Sequence, residues 1–336
     1  MLAGLASNEN PLGAGKYAQT AAGNAALGLY PDAAMKELRQ RLAARHAVTD
    51  REVCVGAGST DLIFHLVAAL AAGSEVLAPR HTFIAYLLAA RTAGATYREV
   101  GSGPRANLEE LALEVSEQTR LVCLVNPANP TGQHFERREL HALLERVPRS
   151  VPVIIDEAYT EYVRAPRSVC GSVLRRAFPN VVVLRTFSKA YGLAGLRVGY
   201  AIGPPEWLEA VERRRPPFSV SGPAQAAACA ALDDEAHLRA SVSLAQTERQ
   251  SVFTAIQALG LEVLPSEGNF VCVRVPDVQR ALERLHEEGV TVLRLEAYGL
   301  SDWLRITIGD AQQNACMLRG LSSFSLSLRP RREGQG

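Results

Sequence analysis

The chain has 336 residues, of which 47% are hydrophobic and 21% are charged, and its formal net charge is +1. This length accommodates one large and one smaller domain, and this composition excludes a mainly disordered chain. The balanced charge gives no electrostatic reason to expect nucleic acid or an anionic membrane as a partner.

The six cysteines are scattered without C-x-x-C spacing, which favours free thiols over disulfides or a metal site. The N-terminus lacks a basic region followed by a long apolar stretch, so we expect no signal peptide. The most apolar stretch, residues 62–72, is too short to span a bilayer. By elimination we expect a soluble, cytoplasmic protein without a metal.

Strand-like and helix-like patterns alternate from about residue 30 to residue 235. We predict strands at 52–55, 75–78, 121–125, 151–155, 181–184 and 197–202. We predict helices between them at 60–72, 83–93, 137–146 and 206–214. Several of the strands are continuous Val/Ile/Leu runs, as expected of strands buried on both faces. The pattern predicts an α/β fold with a mostly parallel central sheet sandwiched by helices.

The pattern changes after Pro223. A long helical stretch at 224–259 has a break at 233–234 and is followed by strands at 269–275, 290–295 and 303–308. With helices at 277–288 and 311–321, this indicates a smaller α+β unit. We therefore predict an N-terminal arm (1–29), a large domain (30–235), a small C-terminal domain (236–328) and a disordered tail (329–336).

A lysine lies among phosphate-binding side chains after the strand that ends near residue 184. Lys189 follows Thr186 and Ser188, and Arg197 comes eight residues later. Hydroxyl and guanidinium groups suit a phosphate dianion, and arginine is a bidentate partner. Most lysines are simply solvated, so the prediction of a functional lysine depends on these neighbours.

Two further polar groups follow strands. Asp156 ends a buried strand, at the edge where open α/β sheets bind ligands, and a carboxylate there needs a cationic partner. Tyr159 lies three residues later. Asn129 lies in the N-P-A-N-P-T-G turn, whose prolines and glycine hold it rigidly. Taken alone, Asp156 could instead cap a helix and Asn129 could be purely structural.

The G-A-G-S-T-D segment at 56–61 follows a strand and opens a helix. The backbone N–H groups of Ser59 and Thr60 would point at an anion. The segment half-matches a dinucleotide-binding loop, but Asp61 replaces the third glycine, which argues against a nicotinamide cofactor. In H-T-F-I-A-Y (81–86), Phe83 offers a ring on which a cofactor could stack, or it could belong to the core.

Together these groups supply the parts of a pyridoxal-5′-phosphate site. Such a site needs a lysine amine, a carboxylate beneath the pyridine nitrogen, donors to the phenolic oxygen, a stacking ring and a phosphate cradle. We predict that Lys189 holds the cofactor as an imine and that Asp156 keeps the ring protonated. Tyr159 and Asn129 would serve the phenolic oxygen, and Phe83 would stack on the ring.

The motifs resemble pyridoxal-phosphate enzymes of fold type I, aminotransferase class I/II. The likeness is strongest to the histidinol-phosphate aminotransferase family, which includes aromatic-amino-acid aminotransferases. It rests on L-A-S-N-E-N-P-L-G (5–13), Y-P-D (30–32), N-P-A-N-P-T-G (126–132), D-E-A-Y-T-E-Y (156–162), R-T-F-S-K-A-Y-G-L-A-G-L-R-V-G-Y (185–200), N-F-V (269–271) and L-R-I-T-I-G (304–309). These run in family order over nearly the whole chain.

The resemblance implies the aspartate aminotransferase fold and a homodimer with shared active sites. Tyr30 would reach the cofactor phosphate of the partner subunit, and Asn10 would border the substrate pocket. Arg305 would bind the carboxylate or phosphate of the substrate, unless it forms a surface ion pair. Lys189 would move a proton while an amino group passes between an amino acid, or an amino-alcohol phosphate such as histidinol phosphate, and a 2-keto acid.

The alternative chemistry on the same cofactor is decarboxylation, elimination, cyclisation or oxidation in specialised metabolism. A third class, a non-catalytic regulator of this fold, needs an attached DNA-binding domain, for which we expect no room before Asn8.

Three departures from the family pattern leave the substrate open. Family members carry a longer N-terminal arm with a tyrosine, and we expect that arm to be missing because N-E-N-P begins at residue 8. A second family arginine, four residues after Gly289, is replaced by Leu293, while Arg294 comes one residue later. One residue in a strand turns a side chain to the opposite face unless a bulge restores it. The P-F-S-V-S stretch at 217–221 resembles the aromatic-specific members.

Overall fold

The structure is a computed structural model that describes residues 3–326, so the predicted tail at 329–336 lies outside the described residues. The strands in chain order are β1 (Ala3–Gly4), β2 (Val53–Gly56), β3 (Glu75–Pro79), β4 (Thr96–Val100), β5 (Thr119–Val125), β6 (Val153–Asp156), β7 (Val181–Thr186), β8 (Gly199–Ile202), β9 (Val263–Leu264), β10 (Phe270–Arg274), β11 (Val290–Thr291), β12 (Leu293–Leu295) and β13 (Leu300–Thr307).

The helices are α1 (Lys16–Gly23), α2 (Lys36–His46), α3 (Ser59–Leu70), α4 (Ala85–Thr92), α5 (Leu108–Leu113), α6 (Arg137–Arg146), α7 (Gly171–Leu174), α8 (Pro205–Glu212), α9 (Gly222–Asp233), α10 (Glu235–Ala258), α11 (Val278–Glu287) and α12 (Ala311–Leu326).

A seven-stranded central sheet has the order β2-β8-β7-β6-β5-β3-β4. Its strand pairs are parallel except those of β8, which is antiparallel to β2 and β7. Every residue of β2, β3 and β6 is buried, which explains their continuous apolar sequences. The predicted α/β fold with a mainly parallel, helix-covered sheet is confirmed.

Helices cover both faces of this sheet because each has an apolar stripe. Helix α3 buries Leu62 and Leu66 in the core on one face, and α6 buries Leu140 and Leu144 in the core on the other. Neighbouring residues of β6 alternate between these two cores, since successive side chains of a strand point to opposite faces. The sheet is thus fixed between two hydrophobic layers, which holds the loops at its edges in place.

The remaining strands form a smaller antiparallel sheet, β12-β13-β10-β9, and a short parallel pair of β1 and β11. Helices α10, α11 and α12 pack with this part of the chain around a separate apolar core. The predicted strand at 290–295 is in fact two short strands, because β11 pairs with β1 and β12 pairs with β13.

Strands β5, β6 and β7 are adjacent and parallel, so their carboxyl ends meet at one edge of the sheet. Asp156 is the last residue of β6 and Thr186 is the last residue of β7. The turn that holds Asn129 follows β5 directly. Open α/β sheets bind ligands at this edge, and the predicted side chains meet here.

Candidate active site

A cavity of about 400 Å³ lies at the carboxyl ends of these strands. It brings together every residue predicted for the site except Tyr30 and Asn10: Ser59, Thr60, Phe83, Asn129, Asp156, Tyr159, Thr186, Ser188, Lys189, Arg197 and Arg305 all line it. Ser7 and Glu9 line it as well. Side chains from widely separated parts of the chain therefore share one pocket.

One end of the cavity is a cradle for an anion. Ser59 begins the twelve-residue helix α3, so free N–H groups and the positive end of the helix dipole face the cavity. Arg197 donates to the Ser188 hydroxyl over 3.3 Å. Gly58 has φ +91°, and a Cβ there would lie 2.5 Å from a nitrogen of Arg197, so the close approach requires glycine. Charge and hydrogen-bond donors together fit a phosphate dianion.

Asp156 lies deep in the cavity with only 2% of its surface exposed. Burial raises the pKa of Asp156 to about 6, and the carboxylate of Glu157 adds to this, while hydrogen bonds and Lys189 act in the opposite direction. Those hydrogen bonds come from the Ala158 N–H at 3.1 Å and the Tyr86 hydroxyl at 3.2 Å. Among the described residues Asp156 has no ion pair, so a pyridinium nitrogen would complete its environment.

Lys189 has the surroundings of a reactive amine. Its Nζ donates to the Ser7 carbonyl over 2.8 Å and lies 5.8 Å from the centre of the Tyr159 ring. Burial and the positive charge of Arg305 lower the pKa of Lys189 to about 7, although Glu9 partly offsets them. A large share of the amine is therefore neutral, and hence nucleophilic, near pH 7.

The other two lysines of the chain, Lys16 and Lys36, are exposed and do not line the cavity. The structure thus leaves Lys189 as the single lysine at the cavity.

Tyr159 and Asn129 are fixed by contacts to other parts of the chain. The Tyr159 hydroxyl accepts a hydrogen bond from Nδ2 of Asn8 over 3.0 Å, and its ring meets Phe270 edge-on at 5.1 Å. Burial raises the pKa of Tyr159 to about 12, so the phenol keeps its hydrogen and can donate it. Oδ1 of Asn129 accepts from Nη1 of Arg305 over 2.5 Å.

Arg305 lies on β13 with 5% of its surface exposed. Its Nη1 and Nη2 donate to Asn129 and to the Ala6 carbonyl, each over 2.5 Å, and its Nε has no partner among the described residues. The alternative of a surface ion pair for Arg305 is wrong, because this buried side chain has no carboxylate partner among the described residues. It presents a positive charge at the cavity without an ion pair among the described residues.

Arg294 does not join Arg305. In the pairing of β12 with β13, Leu293 lies opposite Arg305 and Arg294 lies opposite Leu304, so Arg294 faces the other side of the sheet. Its guanidinium forms an exposed ion pair with Glu296 at 2.9 Å. Arg294 therefore does not replace the second family arginine in this cavity.

Two predicted residues lie outside the cavity. Asn10 donates to the Ala190 carbonyl over 3.0 Å and to the Ser241 hydroxyl over 2.8 Å, so it anchors the N-terminal segment beside the lysine loop. Tyr30 is 83% exposed and its ring lies 4.7 Å from that of Phe218. Tyr30 does not reach the cavity of its own chain, and its predicted role requires a second subunit.

Sequence reasoning missed four neighbours of the site: Ser7, Asn8, Glu9 and Tyr86. Ser7, Asn8 and Glu9 lie in the L-A-S-N-E-N-P-L-G segment (5–13), in which the sequence predicts a role for Asn10 alone. Tyr86 lies in the H-T-F-I-A-Y motif, three residues after Phe83, and its partner Asp156 is 70 residues away in the sequence. The sequence offers no signal for this pair beyond a tyrosine in the same short motif as Phe83, and the structure shows that its hydroxyl is buried and needs a partner.

No group of three or more His, Cys, Asp or Glu side chains in the part of the chain that the structure describes could hold a metal ion. None of the described helices is long and apolar enough to cross a membrane.

Comparison with known proteins gives matches over nearly the whole chain. Residues 2–321 match the family described as aminotransferase class I and II. The chain is 45% identical to a histidinol-phosphate aminotransferase of Anaeromyxobacter sp. (strain Fw109-5), covering 95% of this chain and 90% of the relative. It is 43% identical to histidinol-phosphate aminotransferase 1 of Thiobacillus denitrificans, covering 94% and 84%.

A solved structure gives the same result. The histidinol-phosphate aminotransferase of Sinorhizobium meliloti, crystallised with pyridoxal-5′-phosphate, superposes with a TM-score of 0.86 and 27% identity. The match covers 97% of this chain and 92% of that one. The fold is thus shared over nearly the whole length of both chains.

Proposed function

We propose a substrate for this chain, which belongs to the aminotransferase class I and II family and transfers amino groups with pyridoxal 5′-phosphate as cofactor. Its amino donor is histidinol phosphate and its acceptor is a 2-keto acid. The relatives that bear the name of this activity support the donor. The same relatives favour transamination over decarboxylation, elimination, cyclisation or oxidation.

The cavity residues fit the cofactor. The cofactor supplies an aldehyde and a ring that accepts electrons. Ser59, Thr60, Thr186, Ser188 and Arg197 hold its phosphate in this proposal. Their N–H, hydroxyl and guanidinium groups form the anion cradle at the start of α3.

The ring of the cofactor is held by a second group of residues in this proposal. Asp156 pairs with the ring nitrogen and Phe83 stacks on the ring. Tyr159 and Asn129 serve the phenolic oxygen. The buried, unpaired carboxylate of Asp156 supports this orientation most directly.

Lys189 carries the proton in the proposed mechanism. Its amine would hold the cofactor covalently at rest and would be free once an amino donor is bound. The free Nζ would then take the proton from the α-carbon of the donor as a base and give it up again as an acid. Burial and the charge of Arg305 keep much of this amine neutral near pH 7, as a general base requires.

One observation carries the assignment of an anionic donor. Arg305 lines the cavity with Lys189, and its Nε has no partner among the described residues. A buried guanidinium without a counter-ion favours a ligand that brings a negative charge, and the phosphate of histidinol phosphate would supply it. Asn129 and the Ala6 carbonyl hold the guanidinium in place.

We predict that Arg305→Lys strongly weakens use of histidinol phosphate, because lysine cannot form a bidentate pair. Losing that pair should cost roughly 2–4 kcal/mol, or about 30- to 1000-fold in kcat/KM. The measurement is steady-state transamination with 2-oxoglutarate and a donor panel of histidinol phosphate, histidine, phenylalanine and an uncharged amine. Wild-type enzyme should prefer histidinol phosphate, and the uncharged amine should be affected far less by the substitution.

A matched control is Arg249→Lys. Arg249 is a buried arginine of helix α10 that bonds to Gly268 and Glu267 and does not line the cavity. Arg249→Lys should lower the thermal stability of the enzyme without changing the order of kcat/KM among the donors. Equal losses for charged and uncharged donors in Arg305→Lys would mean that Arg305 is structural. A wild-type preference for phenylalanine would refute histidinol phosphate as the donor.

A homodimer with shared active sites is the second part of the proposal. Large apolar side chains are exposed near the start of the chain: Tyr17 is 64% exposed, Leu27 84%, Leu29 74% and Tyr30 83%. Large exposed apolar side chains that follow one another in this part of the sequence favour a surface that another protein covers. A second copy of the chain would cover it and would bring Tyr30 to the cofactor phosphate of its partner.

Tyr30→Ala should weaken cofactor binding by about 10- to 100-fold, the effect of one hydrogen bond to a charged group. A hybrid dimer of one Tyr30→Ala subunit and one Lys189→Ala subunit tests whether the active site is shared. One of its two sites would contain both an intact Lys189 and an intact Tyr30. At a cofactor concentration too low to load Tyr30→Ala, mixing and reassociating the two variants should then give activity that neither variant has alone. A monomer with full activity in sedimentation, or hybrids without activity, would refute the shared site.

We also propose the domain division and the location. The N-terminal arm (1–29), large domain (30–235) and small domain (236–328) are supported by the separate apolar core of the small sheet and by the end of α9 at Asp233. A cytoplasmic location is supported by the six free cysteines, four of which are buried thiols.

A further inference from the structure

Asn8 links the Tyr159 hydroxyl to the strand that carries Arg305. It is fully buried, and its backbone is left-handed with φ 53°, a conformation that asparagine tolerates better than most residues. Its Nδ2 donates to the Tyr159 hydroxyl oxygen over 3.0 Å. Its backbone N–H donates to the Thr307 hydroxyl over 2.9 Å.

The contacts of Thr307 agree with the orientation in which the Asn8 amide is placed. Because the Thr307 oxygen receives the Asn8 backbone N–H, its own hydrogen is available to donate to Oδ1 of Asn8 over 3.2 Å. The carbonyl side of the amide therefore faces Thr307, and the NH₂ side faces Tyr159. Asn8 can only donate to Tyr159. It therefore occupies a lone pair of the Tyr159 hydroxyl oxygen and leaves the hydrogen of that hydroxyl free to be donated elsewhere.

No acceptor for the Tyr159 hydrogen is found among the described residues, and Tyr159 lines the cavity. We propose that Asn8 is a positioning residue, which turns the hydroxyl hydrogen of Tyr159 toward the phenolic oxygen of the cofactor. This inference rests on the proposed role of Tyr159 as a donor to that oxygen. The segment that begins N-E-N-P thus acts on the cofactor through a tyrosine 151 residues away.

Four other polar groups surround Tyr159 and could influence the same hydrogen. Arg305 faces Tyr159 from β13 and Tyr298 faces it from the turn before β13. Asp156 faces it from β6, and Nζ of Lys189 lies over its ring. The positive charge of Arg305 and the donor of Asn8 both favour the ionised phenol, while Asp156 and Tyr298 oppose it. A change at Asn8 leaves all four in place, so its effect can be measured separately.

The test is the pH titration of the visible absorption band of the bound cofactor in purified holoenzyme. A donor to the phenolic oxygen competes for the proton that this oxygen shares with the neighbouring nitrogen, so its loss raises the titration midpoint. Tyr159→Phe should raise the midpoint by about one pH unit or more, and Asn8→Gly by about half a unit or more. Glycine suits the left-handed backbone and introduces no charge.

A double substitution shows whether Asn8 acts through Tyr159. In the Tyr159→Phe background, Asn8→Gly should give no further shift, since the group it positions is gone. If Asn8→Gly does not hold the cofactor, Asn8→Asp replaces it, because an ionised carboxylate can only accept the tyrosine hydrogen and should raise the midpoint further. Asn269→Ala removes a donor to the Asn8 carbonyl and controls for loosening of the segment.

The outcomes distinguish the proposed role of Tyr159 from the proposed role of Asn8. If Tyr159→Phe leaves the midpoint unchanged, the proposed role of Tyr159 fails. If Tyr159→Phe moves the midpoint and Asn8→Gly and Asn8→Asp do not, only the role of Asn8 is overturned. Equal shifts from Asn8→Gly in both backgrounds, or an equal shift from Asn269→Ala, would also overturn it.

Discussion

Lys189→Ala should abolish transamination, with kcat falling by at least about four orders of magnitude. The substitution removes both the amine that holds the cofactor and the base that moves the proton. No substitute is near, because Lys16 and Lys36 are exposed and do not line the cavity. The measurement is single-turnover transamination at saturating cofactor, together with the visible spectrum of the purified protein.

The matched control is Lys36→Ala, which removes an exposed lysine at the start of α2. It should retain both the colour and the activity of the wild-type enzyme. Residual activity of Lys189→Ala within about tenfold of wild type would exclude Lys189 as the proton carrier.

Asp156→Ala should lower kcat/KM by about 200- to 5000-fold, the effect of removing one partner from a buried charge pair, roughly 3–5 kcal/mol. The pyridine nitrogen would lose the carboxylate that keeps it protonated, and the ring would accept electrons less readily. Cofactor affinity should fall as well. Equilibrium dialysis of the cofactor and steady-state kinetics measure the two effects separately.

Glu157→Gln is the control for this prediction. Glu157 is the neighbouring carboxylate and is equally buried, but it pairs with Arg185 at 2.7 Å and does not line the cavity. Its substitution should reduce thermal stability far more than cofactor affinity. If Asp156→Ala kept nearly wild-type turnover while Glu157→Gln lost it, the ring would be oriented differently from our proposal.

Much of the cavity could be predicted because its side chains follow strands. Continuous apolar runs identified β5, β6 and β7, and parallel strands bring their carboxyl ends together. Asn129, Asp156 and Lys189 could therefore be assigned to one edge of a sheet before any contact was known. The elements that were missed lack this signal: the edge strand β4 is half exposed, so its sequence is not a continuous apolar run.

Contacts between distant segments could not be predicted from local patterns. Hydrogen bonds of Asn8 reach Tyr159 and Thr307, 151 and 299 residues away, and no sequence periodicity reports such pairs. The shift of one residue at Leu293 and Arg294 was recognised in the sequence. Only the pairing of β12 with β13 showed which face each side chain takes.

The identity of the lysine that holds the cofactor tests the central claim most directly. Borohydride reduction of the yellow holoenzyme fixes the cofactor to its lysine, and mass spectrometry of the digested protein locates the adduct. The chain has three lysines, so the result is one of three peptides. We predict a single adduct on the peptide that contains Lys189. An adduct on Lys16 or Lys36, with Lys189 unmodified, would contradict the assignment.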